Sequence, residues 1–114
     1  MDMLELQEQF IGELLDAVSE PWDRIEVHYE NFAWSDGSSE IYVANRFLAD
    51  EKIDVDLSAE ALDALAELQE HLPEGQSEPW TWLVFTIDAT GKYNFDYQYG
   101  VPPLVAREMA AQKG

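Results

Sequence analysis

Hydrophobic residues along this chain recur with two periods, about 3.6 residues and 2, and each switch between them marks a new element. Over residues 3–18, Met3, Leu6, Phe10 and Leu14 join Leu4, Ile11, Leu15 and Val18 in one half of a helical wheel. Glu5, Gln9, Gly12 and Asp16 take the other half, which predicts an amphipathic helix that stops before Pro21. From Arg24 to Trp34 the period drops to two. Ile25, Val27 and Tyr29 alternate with Glu26, His28 and Glu30, the pattern of a strand with one buried face. Ser35-Asp36-Gly37-Ser38 reads as a turn with Gly37 free to take positive φ. A partner strand then runs from Ser39 to Leu48, where Ile41, Val43 and Phe47 alternate with Tyr42 and Arg46.

Asp50 to Asp56 reads as an acidic connection. Ser58 is an N-cap for a second helix carrying Leu62, Leu65, Leu68 and Leu72, with Glu60 in its first turn and Pro73 and Gly75 ending it. In the last hairpin, Asp88-Ala89-Thr90-Gly91-Lys92 suits a type I turn closed by Gly91 as a left-handed bulge residue. That register pairs Ile87 with Tyr93, Phe85 with Phe95 and Leu83 with Tyr97 on one face, and Thr86 with Asn94, Val84 with Asp96 and Trp82 with Gln98 on the other. One more loop residue would scramble both faces, so the periodicity selects the bulge. Pro102-Pro103 opens a short third helix from Leu104 to Gln112. The order α-β-β-α-β-β-α over a single domain, residues 1–114, predicts an α+β fold: a four-stranded antiparallel sheet made of two hairpins, with helices covering one face.

Composition narrows the function classes. Apolar residues form 46% of the chain, enough for a core, and with no cysteine there is no disulfide, thiolate metal site or thiol nucleophile. No apolar run reaches membrane-spanning length and the start Met-Asp-Met-Leu-Glu is not a signal peptide, so a soluble cytoplasmic protein is expected. Charge is lopsided, with 24 acidic residues against 6 basic ones for a net charge of −18. Residues 1–78 hold 21 of the acids and only Arg24, Arg46 and Lys52, while residues 79–114 are neutral. Such a field repels nucleic acid and anionic membrane and attracts a basic protein; the plainer reading is a surface tuned for solubility.

Motifs for nucleophilic, phosphate-binding or zinc-protease chemistry do not occur. A calcium loop starting at Asp54 would need Gly and Glu where Ala59 and Leu65 stand. Glu26, His28 and Glu30 point the same way along one strand, an arrangement that suits a divalent metal or acid-base work, or else a plain solvated face. The second imidazole, His71, falls at a helix end. The tryptophans say more. Trp80 and Trp82 fall on the polar face of the last hairpin and Trp34 is out of phase with Ile25 and Val27. An indole on a polar sheet face is either a protein-contact anchor or the seat of the third helix.

Trp80-Thr81-Trp82-Leu83-Val84-Phe85-Thr86-Ile87, followed by Gly91-Lys92-Tyr93-Asn94-Phe95-Asp96-Tyr97-Gln98-Tyr99, resembles the closing hairpin of the YezG-like immunity (antitoxin) family. Pro21-Trp22, the strand Arg24 to Glu30 and Glu40-Ile41-Tyr42 resemble its first hairpin, so the likeness spans Pro21 to Tyr99. The departure is Gly100-Val101-Pro102-Pro103 and its short Ala-rich tail, where family members often carry an acidic residue and a longer aromatic helix. The resemblance implies a bacterial, cytoplasmic, non-catalytic protein that neutralises a cognate polymorphic toxin, in several cases a nuclease. The expected mode is occlusion of a basic toxin domain, with Trp34 and Trp82 as anchors and Glu26, Glu30, Asp50, Glu51 and Asp54 supplying the field. No catalytic residue, cofactor or metal is required by this reading. Its alternatives are a small-molecule or metal-binding domain with hydrolytic activity at Glu26, His28 and Glu30, and a homodimeric scaffold joined through the tryptophan face.

Overall fold

In the computed structural model, which describes residues 2–35, 37–71 and 78–113, the first helix α1 spans Met3–Ala17. Asp2 caps it by accepting the Glu5 N–H at 2.8 Å. Its buried stripe is Leu6, Phe10 and Leu14, one residue per turn, and it is narrower than the wheel suggests, because Leu4 and Leu15 are exposed. Strands β1, Arg24–Trp34, and β2, Gly37–Leu48, form the first hairpin, with Trp34 opposite Gly37. Gly37 does not use positive φ. A Cβ there would meet the Trp34 indole at 3.2 Å, so close approach is what the position requires.

Among the described residues the sheet has five strands, not four. Leu48 and Glu51 face each other across the two-residue turn Ala49-Asp50, and β3, Glu51–Asp54, lies along β2 as an edge strand. Ala49 (φ 50°) and Asp50 (φ 69°) both take left-handed backbone, which two-residue hairpins need but Ala-Asp does not announce. The acidic connection therefore hid a strand. Helix α2, Ala59–Glu70, starts at Ser58, whose Oγ accepts the Ala61 N–H at 3.1 Å. It closes at His71; Leu72, Pro73 and Gly75 lie outside the described residues. Strands β4, Trp82–Asp88, and β5, Tyr93–Gln98, pair in the predicted register, with Gly91 at φ 92°. The antiparallel order is β3-β2-β1-β4-β5.

Helices α1 and α2 cover one face, against Ile25, Val27, Tyr29, Leu83, Phe85 and Ile87. Phe10 stands edge-on to Phe85 at 5.2 Å and to Phe95 at 6.0 Å, which sets α1 over β4 and β5. Helix α3, Pro103–Lys113, packs on the opposite face against β1 and β2, so the helices do not share one side. Trp80 is a second correction. Strand β4 begins only at Trp82, so Trp80 is freed from the alternation and turns into the core. There its indole N–H donates to the Leu68 carbonyl at 3.3 Å and its ring leans on Tyr29 and Tyr97. The phase of β2 is a third. Val27 pairs with Ala44 and Tyr29 with Tyr42, so Tyr42 and Ala44 face the helices while Ile41, Val43 and Phe47 lie on the far side. Among the described residues, no helix is long and apolar enough to cross a membrane.

Candidate partner-binding face

The face opposite α1 and α2 is built in rows, because paired residues in adjacent antiparallel strands share a side. One row runs Asp54, Asn45, Glu26, Thr86, Asn94, and the next Val43, His28, Val84, Asp96. The third runs Ile41, Glu30, Trp82, Gln98. The structure thus brings Glu26, His28, Trp82 and Asp54 together on one surface. Asp50 and Glu51 are exposed on the adjoining edge turn. Trp34 lies at the far end of β1, half-buried, its ring stacked on Phe32 at 6.3 Å.

Glu30 does not serve that surface. Its side chain is fully buried, Oε1 accepting the Val105 N–H at 2.8 Å and Oε2 the Leu104 N–H at 2.9 Å. A helix leaves its first N–H groups without internal partners, and the carboxylate supplies them for α3. His28 Nε2 lies 2.5 Å from the same Oε2, and the imidazole leans over the Trp82 ring at 5.2 Å. Trp82 is accordingly half-buried, held on the polar side where its pairing with Gln98 sets it. Because Glu30 is committed to α3, the Glu26, His28 and Glu30 set is dismantled as a metal site. Among the described residues, no three His, Asp or Glu side chains converge.

Among the described residues, the bases leave the acids alone. Arg24 stacks over the Phe47 ring at 4.2 Å and Arg46 donates to the Pro21 carbonyl at 2.8 Å. Among the described residues, the pair closer than 4 Å is His28 with Glu30, and no lysine or arginine meets a carboxylate. Asp54 is satisfied instead by the Asn45 amide at 2.9 Å. On the helix side, burial above all, reinforced by its bond to Glu40, holds the Tyr29 phenol well above its ordinary pKa. Val43, set with Ile41 and Phe47 as the apolar side of β2 by the alternation, is instead 44% exposed on the open face. Its signal lay in the length of the first turn, since two residues between Trp34 and Gly37 fix the β2 phase.

Residues 14–102 match the family described as Immunity protein YezG-like. The chain belongs to that family. Among curated relatives, Immunity protein YezG of Bacillus spizizenii is 25% identical over 113 residues, covering 85% of this chain and 68% of that protein. The YezG-like span takes in both hairpins, β3 and α2, hence every row of the open face. It ends at Pro102, the residue before α3.

Proposed function

We propose that this member of the YezG-like family neutralises a cognate toxin in the cytoplasm by binding and occluding it, with no chemistry of its own. The observation that carries the reading is that, among the described residues, no lysine or arginine lies within 4 Å of a carboxylate, and neither Arg24 nor Arg46 is spent on one. A cationic partner therefore displaces no internal salt bridge when it docks. Trp82 is the anchor, a large ring fixed by His28 and flanked by Val84, with Trp34 as a second contact. Glu26, Asp50, Glu51 and Asp54 supply the steering field, while Glu30 acts only by holding α3 beside the site. The partner class we favour is a nuclease domain, whose groove is basic because its substrate is a polyanion. Long-range attraction then speeds encounter and the buried indole slows release.

The test is calorimetry of the chain with the toxin domain encoded beside it. Trp82→Ala is expected to weaken the complex by about 1–2 kcal/mol with the thermal midpoint little changed, and rising salt is expected to weaken it further. A complex indifferent to both would refute the reading. Trp80→Ala is the control: it opens a core cavity and costs about 3–5 kcal/mol of folding stability.

A further inference from the structure

The two edges of the sheet are unequal. β3 is four residues long and carries Glu51, Lys52 and Asp54, the usual way of blunting an edge. β5 is six residues, Tyr-Asn-Phe-Asp-Tyr-Gln, with neither proline nor lysine, and among the described residues β4 is its one strand neighbour. The Asp88 N–H donates to the Lys92 carbonyl at 2.9 Å, which fixes the ladder phase. Asn94 and Asp96 therefore bond inward to β4, and the N–H and C=O groups of Tyr93, Phe95 and Tyr97 point outward along the open edge.

An apolar stripe runs beside that edge. Leu4, Gln7, Ile11 and Leu15 share one side of α1, and the Gln7 amide donates to the Tyr97 hydroxyl at 2.7 Å, so this side faces β5. Leu4 is 56% exposed, Leu15 37%, Tyr93 45% and Tyr99 38%, which makes four of the six exposed large hydrophobics among the described residues. Residues 79–114, which include β5, are electrically neutral, and Glu8, exposed between Leu4 and Ile11, is the one charged residue within the stripe on α1. A basic partner finds little to hold here.

We propose that this edge pairs with the same edge of a second copy, giving a two-fold dimer with a ten-stranded continuous sheet. Antiparallel pairing about Phe95 sets Phe95 opposite Phe95 and Tyr93 opposite Tyr97, so all the outward groups meet. It also sets Asn94 opposite Asp96. A shift of the axis to Asp96 would oppose two carboxylates. Strands stand about 4.8 Å apart, and α1 rides between β4 and β5, so the two α1 axes lie about 10 Å apart. That is helix-packing distance, and it closes the Leu4, Ile11 and Leu15 stripes on each other. The inference is independent of the toxin reading, and it leaves the open face free.

Sedimentation equilibrium of the chain alone, with no toxin present, tests it. Wild type is expected to dimerise, more strongly at about 0.5 M salt, since each copy carries the same net charge of −18. Asn94 is exposed and outside the core, so both of its variants are expected to fold. Asn94→Asp puts like charges opposite each other twice and is expected to weaken the dimer at least about threefold; Asn94→Lys is expected to tighten it similarly. Exchange of the Phe95 and Tyr97 amides is expected to slow as concentration rises. A monomer persisting to about 1 mM overturns the proposal, and so does a dimer unmoved by either variant.

Discussion

Replacing Glu30 by alanine deletes the group on which the docking of α3 turns. The wild-type carboxylate accepts two backbone N–H bonds, at 2.8 and 2.9 Å, and lies beside His28. An N–H bond to a carboxylate contributes about 1.5–3 kcal/mol, and the variant also leaves the Leu104 and Val105 donors without an acceptor. The expected loss is about 3–5 kcal/mol, more than a hundredfold in the docked population. This loss falls on α3 and not on the whole fold, because α1, α2 and the core they cover lie on the other face. Hydrogen exchange resolves the two: amides of residues 104–110 should lose their protection in Glu30→Ala while those of Val27 and Phe85 keep theirs. Glu30→Gln, which retains one acceptor oxygen, should lose about half as much. Unchanged α3 protection would refute the capping argument, and an equal collapse of the core amides would refute the separation of the two faces.

Two predictions concern pH. The folded chain holds the Tyr29 and Tyr97 phenolic protons more tightly than the unfolded chain, chiefly through burial, so their contribution is whole below about pH 10 and is lost as pH rises further. Tyr29→Phe should flatten the alkaline limb of a urea-midpoint titration, and an unaltered limb would count against it. Asp88 behaves oppositely. Its Oδ1 accepts from the Thr90 hydroxyl, the Thr90 N–H and the Lys92 N–H, and these bonds, the hydroxyl first, lower its pKa. Its contribution is present above about pH 4 and is lost as pH falls. Asp88→Asn should remove that acid dependence and increase fraying of the last hairpin, seen in the Tyr93 and Asn94 amide shifts.

The hairpin of β4 and β5 was legible because both of its faces are patterned, so a single register satisfies them. Helix α1 was legible from its stripe, and α2 from its stripe and its Ser58 cap. The fifth strand was not, since Ala49 and Asp50 adopt left-handed backbone in a turn with no glycine. The side taken by α3 was hidden for another reason. Its anchor is a carboxylate far away in sequence, and among alternating acids nothing sets Glu30 apart from Glu26. Trp80 and Trp82 show the limit of counting by twos, because alternation holds only where the ladder does.

The polar anchor of the last helix in the sheet is made to its main chain. Glu30 grips two amide protons that any non-proline residues at 104 and 105 would offer, and Gly100 at φ 83° supplies the bend that leads there. Grip of this kind is blind to side-chain identity. Only Val105, which is fully buried, and Glu108, which accepts the Ser39 hydroxyl at 2.9 Å, add a side-chain requirement, so the exposed remainder of the helix is free to drift in sequence while the sheet still presents it at the same angle.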